Sequence, residues 1–338
     1  MKRLVLPSLV TIGIIFFLFT QISFRDLYSL LSRIDPAWTI AATAGYLLAI
    51  LFRAFKYKSL IHSKDVPTSD LFRISVFTHL SLMILPSKLG ELTYPYFLKR
   101  VSRVTMTEGV ASLIASRIYD FFTLLLIFLV AIIGFQGSFK MNPLKIILMI
   151  ALLIGLTFLA FFYMSNFLNF LSRILERVFL RARLSRFRLG HWGLGKVRKM
   201  AEDFDAIQAK RTYLSASLAS LSSWACTYWM FYAFLRGFRI SIPILKTVLG
   251  STIAIVASVF PISGLGNWGI LEAGWTAGFM LVGLSKLEAI ATGLGVHILL
   301  FLTSALMSLL CWLTLAKGHP ARKLRDPRVQ GSELNPEP

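Results

Sequence analysis

Apolar residues in this chain gather into stretches cut to bilayer thickness, and two of those stretches are broken near their middles by proline and glycine. A helix crossing the hydrocarbon core needs roughly 20 apolar residues, and one interrupted there frees backbone groups that lipid cannot satisfy. Leu71 to Leu98 is interrupted by Pro86 and Gly90, and Ile244 to Leu284 by Pro261, Gly264, Gly266 and Gly269. Such breaks survive only inside the protein or beside water. Each broken stretch is therefore read as a re-entrant hairpin, entering from one side and returning to it; the alternatives, a stretch that crosses twice at shallow depth or a break that is only a kink, change the number of spans, eight crossings among the outcomes.

The unbroken stretches are Leu4 to Thr20, Ala37 to Phe52, Val110 to Phe135, Leu144 to Phe167, Tyr213 to Leu235 and Glu288 to Ala316. The expected fold is thus an all-α integral membrane protein with six full spans and two hairpins. It forms a single polytopic domain over residues 1–317, followed by a proline-containing polar tail, 318–338, expected to be disordered. Composition agrees, with 56% hydrophobic and 15% charged residues, against about 45–50% and 25% in a soluble domain. A transmembrane barrel would alternate apolar and polar residues, and this chain does not. Gln21-Ile22-Ser23-Phe24, after the first apolar run, offers no small-x-small cleavage site, so that run reads as a retained helix.

The net charge of +20 sits between hydrophobic stretches rather than on a soluble face, which argues for membrane and against nucleic acid. With the N-terminus inside, 26 of the 36 Lys and Arg fall on the cytoplasmic side and eight outside, with Lys88 and Arg117 at membrane depth. That asymmetry predicts a cell inner membrane protein with both termini cytoplasmic.

The two broken stretches share a design. Pro67 precedes Pro86 by 19 residues and Pro243 precedes Pro261 by 18. Leu89-Gly90 matches Leu265-Gly266, and Glu91 and Glu272 follow. Glu108 and Arg117 stand 17 and 26 residues beyond Glu91, as Glu288 and His297 stand 16 and 25 beyond Glu272. Two repeats, about 36–135 and 211–316, open in opposite directions in the charge count. This is the inverted construction of many transporters, whose broken helices meet near the midplane around the substrate.

Ionisable groups at membrane depth cost about 2.5–3.5 kcal/mol each on insertion scales, so they mark sites or need partners. Lys88, Glu91, Arg117, Asp120, Glu272 and His297 are the candidates for substrate binding. Arg117 and Asp120 lie on one helical face and can neutralise each other. Lys88 and Glu91 flank Gly90 in a hairpin tip, where backbone N–H groups and a cation can hold a phosphate. Glu272 has no basic residue within a turn in sequence, which leaves protonation, capping and pairing across the repeat all open. His297, on an apolar helix, reads as a satisfied core histidine or as a proton relay.

Between the halves, 167–211 is expected to be a basic interfacial cytoplasmic segment. Phe167, Leu168, Leu171, Ile174, Leu175, Val178 and Phe179 form one stripe, with Arg173, Arg177 and Arg181 off it and facing anionic headgroups. Asp203-Phe204-Asp205, among Lys196, Arg198, Lys199 and Lys210, reads as solvated charge rather than a metal site. Cys226 and Cys311 lie in apolar stretches without CxxC context. No HExxH, GxSxG or P-loop motif occurs, and no soluble segment has the size of a catalytic domain. No cofactor, metal or catalytic residue is expected.

PSKLGELTYPYFLKR from Pro86 to Arg100, ASRIYD from Ala115 to Asp120, RAFKYKSLI after the second span, and Gly264-Leu265-Gly266 with Glu272 beyond resemble a known family. It is the flippase-like family named after the transmembrane region of lysylphosphatidylglycerol synthase. The resemblance runs from about Asp35 to Ala316 and implies translocation of an anionic phospholipid or a polyprenyl-linked envelope lipid. The synthase's soluble aminoacyl-transfer domain has no counterpart here, so lipid synthesis is not implied. Two other expectations stand beside it: a membrane-embedded transferase or accessory subunit of glycolipid synthesis, and an ion-coupled transporter of a small organic anion.

Overall fold

The structure, a computed structural model, describes residues 28–29, 32–86, 89–134, 143–181, 188–259 and 268–318. The first expected span, Leu4 to Thr20, and the tail from His319 lie outside the described residues.

Helix α1, Pro36–Leu60, starts where Asp35 accepts a hydrogen bond from Ala37 N at 2.9 Å and Pro36 fills the first turn. Helix α2, Thr68–Leu82, follows Pro67. A 3-10 turn, Leu89–Leu92, leads into α3, Thr93–Ser102, which ends on Arg103 in the left-handed region at φ 54°. Then come α4, Met106–Gly134, α5, Pro143–Arg181, and α6, Arg188–Ala209. The second half holds α7, Tyr213–Gly237, α8, Ile244–Val259, α9, Ile270–Leu281, and α10, Lys286–Gly318. No strand occurs among the described residues.

Among the described residues, three helices are long and apolar enough to cross a bilayer: Pro36–Leu60, Met106–Gly134 and Lys286–Thr314. Ile147–Thr157 and Phe161–Ile174 meet at a 54° bend and make a fourth when counted together as one span. Helix α7 forms where a span is expected but is not among these, because serines punctuate it. Those serines serve the interior: Ser223 donates to the Ala49 carbonyl at 2.9 Å, and Ser220 reaches the polar cluster described below.

Helices α1 and α7 run antiparallel along their whole lengths. Asp35 N donates to Gly237 O at 3.1 Å at one end, and Thr212 Oγ1 donates to Ser59 O at 2.8 Å at the other. Between them Gly45 packs so closely that an added Cβ would stand 3.0 Å from Trp229 and 3.2 Å from the Cys226 carbonyl. Small residues at such crossings let backbones approach where lipid supplies no hydrophobic drive.

In the first broken stretch, α2 ends at Leu82 and the chain turns over buried Pro86, whose carbonyl accepts from Leu89 N at 3.0 Å. The 3-10 turn then lays Gly90 on the backbone of α2, where a Cβ would lie 2.5 Å from Leu82 backbone atoms. In the second, α8 and α9 pack backbone to backbone and antiparallel. A Cβ on Gly274 would stand 2.7 Å from Ala257 Cβ, and one on Gly278 would strike the Gly250 carbonyl. Pro261, Gly264 and Gly266, expected to break this stretch, lie outside the described residues.

Each hairpin also meets the long helix of the other half. Gly134 at the end of α4 lies against Leu245 at the start of α8, while Arg73 near the start of α2 is within electrostatic reach of Cys311 towards the end of α10.

The expected separate interfacial helix after Phe167 is instead the continuation of α5 to Arg181. Its inward residues are Ser165, Leu168 and Ser172, so of the predicted stripe Leu168 is buried while Phe167 and Ile174 face outward. Packing against α6 sets this rotation, with Ser165 Oγ facing Ala201 O and Glu176 pairing with Arg198 at 2.7 Å. Arg173 and Arg177 are exposed, and the Arg181 side chain lies outside what is described. Asp203 and Phe204 are buried, not solvated, with Asp203 against His62 at 3.3 Å.

Candidate functional site

A buried polar cluster forms where α1, α4, α7 and the first hairpin meet. Asp120 on α4 is its hub. Its Oδ1 accepts from the Lys56 ammonium, from the Trp224 indole N–H at 2.9 Å and from the Ser220 hydroxyl at 3.2 Å. Lys56 is fully buried, and an ammonium is stable there only because this carboxylate and its hydrogen bonds offset the lost hydration.

Arg117, one turn before Asp120, faces the same space. It grips Glu91 of the 3-10 turn with two hydrogen-bonding nitrogens, NH2 to Oε1 at 3.1 Å and Nε to Oε2 at 3.2 Å. Its third nitrogen lies 3.6 Å from Asp120 Oδ2. This paired geometry is one that lysine cannot reproduce. The close approach of Gly90 to α2 is what carries Glu91 inward to meet it.

Arg53 completes the cluster. The ion pairs use Lys56, Arg117, Glu91 and Asp120 and leave Arg53 unpaired among the described residues, with its Nε buried and without a hydrogen-bond partner. Its charge acts on Tyr46, Lys56, Tyr57, His79 and Asp120. Among the described residues, three cations thus share the cluster with two carboxylates, a surplus of one positive charge.

The second candidate group forms separately. His297 Nδ1 on α10 lies 2.5 Å from Glu272 Oε1 on α9, and both side chains are fully buried. The other carboxylate oxygen of Glu272 accepts from Gly269 N at 2.7 Å, capping α9. Trp268 stacks on the imidazole with ring centroids 4.1 Å apart. Of the six expected site residues, Glu91, Arg117 and Asp120 therefore gather in one cluster and Glu272 and His297 in another, while Lys88 lies outside the described residues.

Sequence reasoning missed Arg53 and Lys56, which the charge count assigned to a cytoplasmic loop. Helix α1 runs two turns past Phe52 and draws both inward. The signal was available in RAFKYKSLI, where Arg53 and Lys56 stand three apart and share a face.

Two cavities are lined in part by other side chains of the same helices and by none of the cluster's own. One of ≈ 280 Å³ between α4, α5 and α7 is largely apolar, lined by Tyr119, Phe122, Phe161 and Ser217 among others. The other, ≈ 580 Å³, opens at the C-terminal end of α1 beside Lys58, Lys64 and Lys210. Lys210 donates to Ile61 O at 2.7 Å, closing the helix end, and burial pushes its ammonium pKa below the ordinary lysine value. Among the described residues, no group of His, Cys, Asp and Glu is placed to hold a metal ion.

The sequence profile of the lysylphosphatidylglycerol synthase TM region matches residues 4–308. The chain belongs to that family. Membership makes it a multi-pass membrane protein of a lipid-related family, as the apolar helices require. No curated protein matches the chain.

Proposed function

We propose that this family member is a translocase for an anionic lipid, a phospholipid or a polyprenyl-linked envelope lipid, in the cytoplasmic membrane with both termini inside. The observation that carries the reading is the surplus positive charge at Arg53, held within a bundle of apolar helices. Arg53 is half-buried, with its Nε buried and unpartnered among the described residues; a cation so placed in an apolar bundle is costly, and a phosphate headgroup is a ligand of matching charge and hydrogen-bonding capacity. Arg53 and Arg117 would hold the headgroup, while Glu91 and Asp120 fix the cations in place.

The antiparallel α1–α7 pair supports an inverted repeat, since these helices open the two halves in sequence. The matching acid–base contacts after each break support it further, Glu91 with Arg117 and Glu272 with His297. The apolar cavity beside α4 favours a ligand with an acyl or prenyl chain over a small soluble anion.

The test is reconstitution into vesicles carrying a fluorescent anionic lipid in one leaflet. Wild type should speed its movement between leaflets, and Arg53→Gln should return it to the protein-free rate. No movement across a panel of anionic lipids, with or without an imposed gradient, would overturn the proposal.

A further inference from the structure

A row of buried polar side chains runs between α2 and α10. The two helices lie antiparallel, because Arg73 is near Cys311 while His79, further along α2, contacts Ser304, earlier on α10. On α10, His297, Ser304, Ser308 and Cys311 recur at seven-, four- and three-residue steps, which places them on one stripe. On α2, Ser75, Thr78 and His79 share the facing stripe. All but Cys311 and His79 are recorded as buried.

At the centre, His79 Nδ1 lies 3.2 Å from Tyr46 OH and 3.3 Å from Ser304 Oγ, and the Tyr46 hydroxyl donates to Ser304 at 3.2 Å. On either side, Ser75 Oγ, Thr78 Oγ1, Ser308 Oγ and His297 Nε2 are buried with no hydrogen-bond partner among the described residues. Buried polar atoms are rarely left so, and several along one seam mark a function rather than packing, which apolar residues would serve better. The row begins near the partly exposed Arg73–Asp70 pair and ends at the Glu272–His297 pair. His79 is within electrostatic reach of His297.

We propose that this seam is a proton path and that the Glu272–His297 pair is the proton-binding site at its end. A hydrated proton arriving along the hydroxyls is taken up at His297 Nε2, where an N–H bond forms as an O–H bond of the hydronium breaks and leaves water. The imidazolium so formed pairs with the Glu272 carboxylate at Nδ1, and release reverses the step. The ionisable groups facing this path are Glu272 from α9, Cys311 from α10, Asp70, Arg73 and His79 from α2, Tyr46 and Arg53 from α1, and Arg117 from α4, the last three acting at His79. As the coupling ion for the anion held at Arg53, the proton role rests on the translocase reading; as a conducted ion it stands alone.

The experiment uses full-length protein in vesicles with a trapped pH-sensitive dye and a potassium diffusion potential. Wild type should acidify the lumen faster than protein-free vesicles, His297→Gln should lose that flux, and Ser304→Ala should lower it. Because His297→Gln could misfold, Ser308→Ala, a single-atom deletion at an unpartnered site, serves as the second variant, and it too should lower flux while eluting and melting as wild type. Proton flux by wild type in vesicles where it moves no labelled lipid, and lipid movement without proton flux, separate failure of the lipid reading from failure of this one. Wild type without flux above protein-free vesicles, or folded His297→Gln and Ser308→Ala with wild-type flux, would overturn the proposal.

Discussion

Glu272 and His297 are 25 residues apart and meet at 2.5 Å, and Glu91 and Arg117, 26 apart, meet at 3.1 Å. In both halves a carboxylate just after a broken stretch reaches a basic group in the middle of the following long helix. The first pair is open enough to meet a ligand, with Arg117 39% and Glu91 22% exposed; the second is sealed. The same spacing therefore gives an accessible pair in one half and a sheltered dyad in the other.

Asp120 neutralises Lys56 and orders Ser220 and Trp224, so losing it should harm the fold more than losing any one donor. Asp120→Ala strands a buried ammonium, a change that costs about 3–5 kcal/mol. Lys56→Met leaves Asp120 with three other partners and should cost clearly less. Thermal melting of the two detergent-extracted variants checks the order; equal losses would contradict the hub assignment.

Arg53 has no ion-pair or hydrogen-bond partner to lose among the described residues, so Arg53→Gln should melt close to wild type. Its effect should appear in ligand affinity, since a hydrogen bond to a charged group contributes about 1.5–3 kcal/mol, or roughly 10–150-fold in Kd. Titration of purified protein with a short-chain anionic lipid measures this directly. A variant that unfolds, or that binds unchanged, would place Arg53 in the scaffold instead.

Arg117→Lys keeps the charge but removes the two-nitrogen grip on Glu91. Lipid movement should fall sharply with little change in melting temperature. The paired change Glu91→Leu with Arg117→Leu should restore any lost stability and leave transport absent. Transport surviving the double change would assign this pair to structure alone.

Glycines divide by what surrounds them. Gly278→Ala drives a methyl into the Gly250 carbonyl and should cost about 1–3 kcal/mol, the usual range for overpacking. Gly155 and Gly193, helical with nothing within 4 Å of an added Cβ, should be neutral or gain about 0.5–1 kcal/mol as alanine. Melting temperatures of the single variants test both directions.

Much of this was legible in the residues because membrane helices carry strong one-dimensional signals. Proline and glycine marked the first hairpin, and the spacing of Glu91, Arg117, Glu272 and His297 anticipated which carboxylate follows which break. Arg53 and Lys56 were misplaced because counting positive charges treats every cation beyond an apolar run as solvated. Lys56 owes its buried position to Asp120, 64 residues away, and no local pattern shows that. Asp203 was misread for the same reason, its partner His62 lying on another element. The rotation of α5 after its bend escaped notice because both of its faces carry apolar residues, and only packing against α6 chooses between them.

The contact between α8 and α9 has a mechanical consequence. With backbone lying on backbone, no side-chain layer between the two helices can slide or repack, so the pair is a stiff lever whose bending is confined to its attachments. One attachment is Gly283, whose φ of 106° follows the end of α9, and the other is Pro243 ahead of α8. Any stroke of that lever is delivered directly to α10 and to the histidine it carries.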